Sequence, residues 1–109
     1  LTEADLEKVT KLYFSNNQLT DVKGLEKLTQ LRELIICENQ LTDVKGLEKL
    51  TQLTWLSLGD NQLTDVKGLE KLTQLKELWL HNNPALTKAQ IAELQKALPK
   101  CEISSNPTK

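Results

Sequence analysis

The sequence has little excess charge, few cysteines and no long apolar run. Its 14 Lys and Arg residues nearly balance 15 Asp and Glu residues, for a net charge of -1. Nucleic-acid binders draw much of their affinity from basic patches that neutralise phosphates, so this balance argues against nucleic-acid binding. No apolar run approaches the roughly 20 residues that span a bilayer, and membrane insertion is not expected. The two cysteines, Cys37 and Cys101, are too few for a disulfide framework and do not decide the redox compartment.

What remains is the composition of a folded, soluble protein, with 39% hydrophobic and 27% charged residues. A chain of 109 residues is of ordinary size for one domain, so a single domain over residues 1–109 is expected. The chain begins at Leu1 and has no basic-then-apolar leader, which leaves open a removed leader or an upstream domain. Cytoplasmic and secreted or surface-exposed locations both stay open.

The dominant feature is an internal repeat. The thirteen residues LTDVKGLEKLTQL occur without change at 19–31, 41–53 and 63–75, so the copies start 22 residues apart. An earlier, degenerate unit begins at Val9, and a last, partial unit begins at Leu75. A fixed period of this size is the sequence pattern of a solenoid, in which each unit buries its apolar face against its neighbours.

Each repeat contains two kinds of apolar spacing. Leu56 and Leu58 alternate with a polar residue, which predicts a short strand with one buried face. Val44, Leu47 and Leu50 are three residues apart and are better suited to tight 3₁₀-like turns than to a full helix. Stacked units therefore predict an α/β solenoid with a parallel sheet on one side and turns on the other.

The apolar skeleton L-x-x-L-x-L-x-x-N-x-L, from Val9 to Pro84, resembles the leucine-rich repeat, and its 22-residue period resembles the bacterial internalin-like class. The resemblance implies a right-handed superhelix with a concave parallel sheet, a convex side of 3₁₀ turns and a non-catalytic role in recognition. It also implies a ladder of asparagine side chains that bind backbone groups where each strand turns away. In this sequence the ladder positions are Asn17, Asn39, Asn61 and Asn83.

The two ends are predicted to be caps, because terminal repeats would otherwise expose core leucines to water. Residues 1–18 form the N-terminal cap and first degenerate repeat, with a short helix from Thr2, and residues 19–84 form the regular repeats. Residues 85–103 form a C-terminal cap. Its helix begins at the capping box of Thr87 and Gln90, ends before Pro99 and precedes a short strand. Residues 104–109 are expected to be a tail.

The differences between two neighbouring copies fall in the strand segment alone. They are Arg32/Thr54, Glu33/Trp55, Ile35/Ser57, Ile36/Leu58, Cys37/Gly59 and Glu38/Asp60. Drift at exposed positions would not spare the turn side, where Thr42, Lys45 and Gln52 match their counterparts. Either duplication with diversification of a binding face or an engineered consensus scaffold with a varied face would give this pattern. In both cases the sheet face is the expected point of contact.

Side chains predicted on that face resemble a protein interface. Both tryptophans, the only tyrosine and Ile35 form an apolar strip, and charged residues flank it. We predict that a protein or peptide partner binds there. The predicted partner-binding residues are Tyr13, Arg32, Glu33, Ile35, Trp55, Ser57, Asp60, Lys76, Glu77, Trp79 and His81. The remaining aromatic residue, Phe14, is expected in the core.

Other functions have less support in the sequence. Cys37 and His81 share a row of the predicted sheet but are two strands, or roughly 10 Å, apart, which is too far for a catalytic dyad. No metal-ligand spacing or cofactor motif is present, so no enzyme, metal or cofactor is predicted, and a monomer is expected. Two alternatives stay open. One is a repeat scaffold, natural or engineered, without a dedicated partner; the other is a face that binds a cation or carbohydrate through Glu38, Asp60 and the tryptophans.

Overall fold

The computed structural model describes residues 8–15, 18, 20, 22 and 24–105. Five three-residue strands form one parallel sheet in the order β1-β2-β3-β4-β5. The strands are β1 (Lys11–Tyr13), β2 (Glu33–Ile35), β3 (Trp55–Ser57), β4 (Glu77–Trp79) and β5 (Glu102–Ser104). Three 3₁₀ turns lie between them, η1 (Leu25–Lys27), η2 (Leu47–Lys49) and η3 (Leu69–Lys71), and helix α1 (Lys88–Ala97) precedes β5. The predicted solenoid architecture is confirmed.

Strand register follows the 22-residue period. Leu34 is the partner of Leu56, and Leu56 is the partner of Leu78, so equivalent residues of successive repeats stand side by side. All three of these leucines have no exposed surface. Since side chains alternate along a strand, residues on either side of each leucine face outward from the sheet. The repeat phase predicted from the sequence therefore sets which residues form the outer face.

The convex side turns at glycines with left-handed backbone. Gly46 and Gly68 have φ of 101° and 105° and begin the turns η2 and η3. A residue with Cβ would be strained there. The amide of Gly46 donates a hydrogen bond to Glu48 Oε1 at 2.6 Å, and that of Gly68 donates to Glu70 Oε1 at 2.7 Å. A glycine and a glutamate together therefore fix the turns η2 and η3.

The asparagine ladder is present at three of its four predicted positions, and Asn17 lies outside the described residues. Asn61 is buried, and its Nδ2 lies within 2.9 to 3.2 Å of the carbonyl oxygens of Ile36, Leu58 and Gly59. Its Oδ1 accepts the amide of Leu41 at 3.2 Å. Asn39 and Asn83 occupy equivalent buried positions and bind carbonyls of their own and the preceding repeat. Each asparagine thus ties two repeats together.

The C-terminal cap forms as its sequence predicts. Thr87 accepts the amide of Gln90 while its own amide donates to the Gln90 side chain, which completes the capping box. Leu94 and Leu98 are buried against the last repeat. Strand β5 continues to Ser104, one residue into the segment predicted as tail. The helix predicted from Thr2 lies outside the described residues. The described part of the chain contains no helix of the length and apolar character that crossing a bilayer requires.

One core prediction is wrong. Phe14 is 40% exposed, although Ile36 and Leu58 at the equivalent positions are fully buried. Strand β1 stands at the edge of the sheet, so Phe14 has a described neighbouring strand on one side only. Its amide still donates to the carbonyl of Ile35, at 2.8 Å, and the backbone therefore follows the repeat even though the ring does not become buried.

Candidate functional site: the concave face of the sheet

The outward side chains of the five strands and the residues that follow them form one surface, called here the concave face. At its centre the rings of Trp55 on β3 and Trp79 on β4 lie 5.4 Å apart between centroids and are tilted by 55°. The ring of His81 extends this group, with its centroid 6.1 Å from that of Trp79. The structure therefore brings together the two predicted tryptophan anchors, which are both half-buried.

The two indole N–H groups have different environments. Nε1 of Trp79 donates to Glu77 Oε2 at 3.0 Å, which fixes the ring along its own strand. Nε1 of Trp55 is buried and has no hydrogen-bond partner among the described residues. A buried polar group without a partner is unusual in a folded protein. Trp55 is thus held by packing and not by a polar contact.

Tyr13 and Ile35 continue the apolar strip toward the first repeat. They are direct partners in the sheet, and Tyr13 is 59% exposed while Ile35 is half-buried. The Tyr13 hydroxyl donates to Glu33 Oε1 at 3.3 Å, and Lys11 Nζ lies 3.3 Å from the other carboxylate oxygen of Glu33. The four residues of the strip therefore lie on four adjacent strands, with a charged pair beside Tyr13.

Ser57 was predicted to lie at the surface, but the structure buries it. It is 1% exposed, and its Oγ lies 2.7 Å from the Sγ of Cys37, which follows the neighbouring strand β2. A small side chain between larger neighbours is covered by them, whatever its direction relative to the sheet. Ser57 supports the neighbouring side chains and is unavailable for direct contact.

The His81 ring packs against Gly59, which follows β3. A Cβ placed on Gly59 would lie 2.6 Å from His81 Nε2, so the ring occupies the space that any larger residue at 59 would fill. Its Nε2 also lies 3.9 Å from Asp60 Oδ2. The absence of a side chain at Gly59 thus provides the space that the His81 ring occupies. The sequence pattern did not reveal this role.

The third residue after each of β2, β3 and β4 has an unusual backbone. Glu38, Asp60 and Asn82 are equivalent positions with φ of 57°, 58° and 58°. Asn and Asp tolerate this left-handed region better than other residues with a side chain, whereas Glu does not share that tolerance. Asn82 Nδ2 donates to Asp60 Oδ1 at 2.9 Å, which links the two later turns. The occurrence of Asp and Asn at a 22-residue spacing was the available sequence signal for this turn.

The predicted charged rim is partly paired. Arg32 and Lys76 are exposed and precede β2 and β4, whereas Glu33 and Glu77 are half-buried and already accept hydrogen bonds from Tyr13 and Trp79. Arg32 and Lys76 are therefore the more available of these four charges. The rim contains both signs on the side where the strands begin.

Cysteine and metal chemistry have no assembled site in the described residues. The thiol of Cys37 contacts Ser57, while His81 neighbours Asp60, so the two side chains considered as a dyad have different partners. No group of three or more His, Cys, Asp or Glu side chains within the described part is placed to hold a metal ion. Both cysteines are free, and burial with the nearby carboxylates of Glu77 and Glu102 raises the pKa of Cys101 to about 11.

Hydrogen bonds on the convex side explain part of the sequence identity between the repeat copies there. Asp43 and Asp65 each accept the backbone amide two residues later, and Glu48 and Glu70 accept glycine amides. These acidic residues therefore have structural reasons to be identical in each copy. Lys45 and Thr51 are exposed, and no side-chain hydrogen bond or ion pair of theirs is found among the described residues. Their invariance is what still contrasts with the varied concave face.

Comparison with known families identifies the repeat. The family profile "Leucine Rich repeats (2 copies)" matches residues 7–49 and 51–96. Leucine-rich repeats generally form protein–protein interaction modules. Among the curated proteins, none matches the chain.

Three solved structures with the same fold come from bacteria. An internalin (inlF) from Listeria monocytogenes is 33% identical with a TM-score of 0.82, over 95% of this chain and 30% of that one. An internalin C2 (inlC2) from the same species is 25% identical with a TM-score of 0.83, over 99% and 56%. A leucine-rich-repeat protein of Leptospira interrogans is 31% identical with a TM-score of 0.81, over 95% and 28%. The chain thus spans between 28% and 56% of the length of these proteins.

Proposed function

The chain belongs to the leucine-rich-repeat family, and we propose that it is a non-catalytic recognition module that binds a protein or peptide through its concave face. The observation that carries the proposal is where the repeats differ. Neighbouring copies are identical at the exposed convex residues Lys45 and Lys67 and differ at outward residues of the sheet, such as Glu33 and Trp55. Variation directed at one face is expected of a surface that selects a partner.

The chemistry of the varied face supports the same proposal. Trp55, Trp79, Tyr13 and Ile35 form a strip of aromatic and aliphatic surface that extends across four strands. Tryptophan and tyrosine are enriched among the residues that contribute most to protein binding, because they bury large areas at a low cost in side-chain entropy. Trp55 and Trp79 are therefore the proposed anchors, with Tyr13 and Ile35 beside them.

Charged residues around the strip would orient the partner. Arg32 and Lys76 lie exposed where the strands begin, and Asp60 and His81 lie partly exposed where they end. Charges at the edge of an interface chiefly affect association rate and orientation. Glu33 and Glu77 contribute by holding Tyr13 and the Trp79 ring in place.

An affinity capture from a lysate of the source organism tests the proposal. The natural chain is compared with a Tyr13→Ala, Trp55→Ala, Trp79→Ala variant. A matched control carries Lys45→Ala, Thr51→Ala and Lys67→Ala on the convex side. Circular dichroism and thermal melting first establish that all three chains fold. The proposal predicts a protein that the natural chain and the convex control retain and that the concave variant loses.

The alternative is a repeat scaffold without a dedicated partner, for which the three unchanged thirteen-residue copies are the supporting observation. Capture of the same proteins by all three chains, or of none by the natural chain, would favour that alternative. Loss of a captured protein in the convex control alone would show that the protein binds the convex turns and not the concave face.

A further inference from the structure

We infer that the partner presents a basic side chain, lysine or arginine, next to an apolar or aromatic one, with the basic group directed toward the edge of the concave face where the strands end. The inference rests on the proposed function and adds the chemistry and orientation of the partner. Three observations support it: the distribution of charge on the face, the exposure of the charged groups and the position of the tryptophans.

The two edges of the face differ in charge. Where the strands begin, three basic residues and three acidic residues offset one another: Lys11, Arg32 and Lys76 against Glu33, Glu77 and Glu102. Where the strands end, the described residues include two carboxylates, Glu38 and Asp60, and no lysine or arginine. A partner that covers the whole face therefore meets a balanced edge on one side and an acidic edge on the other.

The acidic groups are accessible. Glu38 is exposed, and no side-chain partner for it is found in the described part of the chain. The Asp60 side chain is 41% exposed and accepts one hydrogen bond, from Asn82 Nδ2, which leaves further lone pairs of its carboxylate available. Complementary charge across an interface fixes the orientation of a partner and disfavours partners of the wrong sign.

The tryptophans connect the apolar centre to this edge. The ring of Trp79 lies between Trp55 on one side and His81 on the other, and His81 in turn lies 3.9 Å from Asp60. Indole faces attract the cationic groups of lysine and arginine, as carboxylates do. In an extended peptide, residues i and i+2 point the same way about 7 Å apart. An aromatic or aliphatic residue on the tryptophans and a basic residue two positions away would thus reach the acidic edge.

Selection from a random 12-residue peptide library displayed on phage tests the inference and does not require that the partner be identified first. Four chains are used: the natural one, Glu38→Asn with Asp60→Asn, Asp43→Asn with Asp65→Asn, and Trp55→Ala with Trp79→Ala. Asn fits the left-handed backbone at 38 and 60, as Asn82 does, so the first double variant removes two charges without backbone strain. The second removes two charges from the convex side while an Asn Oδ1 still accepts the turn amide.

The inference predicts that the natural chain and the convex control select peptides with lysine or arginine near an apolar residue, enriched several-fold over the library. The Glu38→Asn, Asp60→Asn variant should select apolar residues without that basic enrichment. A selected peptide should bind this variant about tenfold more weakly, and replacing its basic residue with alanine should then cause no further loss.

Two failures are distinguishable. Peptides that require Trp55 and Trp79 but show acidic or unbiased charge would overturn the inference and leave the proposed function standing. Selection of the same peptides by the Trp55→Ala, Trp79→Ala variant, or of no peptide that depends on the tryptophans, would overturn the proposed function and the inference together. An equal loss of basic enrichment in the convex control would also overturn the inference, because charge at the concave edge would not be its cause.

Discussion

The His81 ring lies on Gly59 of the neighbouring repeat, so closely that a Cβ at Gly59 would approach its Nε2 to 2.6 Å. The two residues are 22 positions apart in the chain and share one row of the sheet. The varied face is therefore a coupled set of side chains, in which a small residue of one repeat provides the space for a ring of the next.

This relationship predicts coupling between the two positions. Gly59→Ala should lower the free energy of unfolding by about 1 kcal/mol in the natural chain, because the His81 ring must move. In a His81→Ala background the same change should be neutral or stabilising by about 0.5 kcal/mol, since alanine restricts the unfolded chain more than glycine. Urea denaturation of the four chains measures the coupling. An equal effect of Gly59→Ala in both backgrounds would show that the ring does not occupy this space.

Loss of a ladder asparagine should be among the most destabilising single changes. Asn61→Ala removes the partner of a buried amide and of buried carbonyl oxygens in two repeats, which should cost about 2–4 kcal/mol. Asn61→Asp should be at least as damaging, because a carboxylate does not donate to those carbonyls. The exposed neighbour change Gln62→Ala is the control and should stay within about 0.5 kcal/mol. Denaturation midpoints that do not separate Asn61→Ala from Gln62→Ala would contradict the ladder.

A substitution in the left-handed turn after β2 should increase the stability of the protein. Glu38→Asn places a residue that tolerates positive φ where Glu now has φ of 57°, and it should raise the free energy of unfolding by about 0.5–1 kcal/mol. Asp60→Ala should act in the opposite direction at the equivalent position in the next repeat, since alanine lacks the tolerance of Asp. Equilibrium unfolding of both variants provides the comparison. A stability that falls with Glu38→Asn would show that the Glu38 side chain makes a compensating contact.

The buried thiol should make stability depend on alkaline pH. Desolvation, with the Glu77 and Glu102 carboxylates, raises the pKa of Cys101 from its ordinary value of 9.0 to about 11. Between these values the unfolded chain loses the proton while the folded chain keeps it. The contribution is therefore complete below pH 9 and is lost as the pH rises toward 11, at no more than about 1.4 kcal/mol per pH unit. Subtracting the profile of Cys101→Ala isolates this slope from other titrating groups, and parallel profiles would contradict it.

Most of the fold was predictable because it depends on residues that repeat. The alternation of Leu56 and Leu58 and the capping box at Thr87 each express a local rule, and the ladder at Asn61 follows from the resemblance to the leucine-rich repeat. The structure confirms all three. Local rules of this kind need only the identity of a residue and its phase within the repeat. The direction in which each side chain points relative to the sheet was predictable for the same reason.

The exposure of individual side chains was less predictable, because it depends on side chains contributed by neighbouring repeats. Ser57 points outward but is covered, and Phe14 points inward but is 40% exposed at the edge of the sheet. The sizes of adjacent residues in a row decide these outcomes, and so does the presence of a neighbouring strand. Row-by-row comparison of volumes across the sheet would have shown that Gly59 and Ser57 provide space for larger neighbours.

Tryptophan fluorescence tests the central claim most directly, because both tryptophans of the chain lie on the concave face. A captured partner or a selected peptide that itself lacks tryptophan is titrated into the chain with excitation of tryptophan alone. Our account predicts a saturable shift of emission to shorter wavelength, as the ligand displaces water from the half-exposed rings, and the same shift in the Lys45→Ala, Lys67→Ala control. Saturable binding by calorimetry without any change in emission would contradict it, because the partner would then occupy another surface.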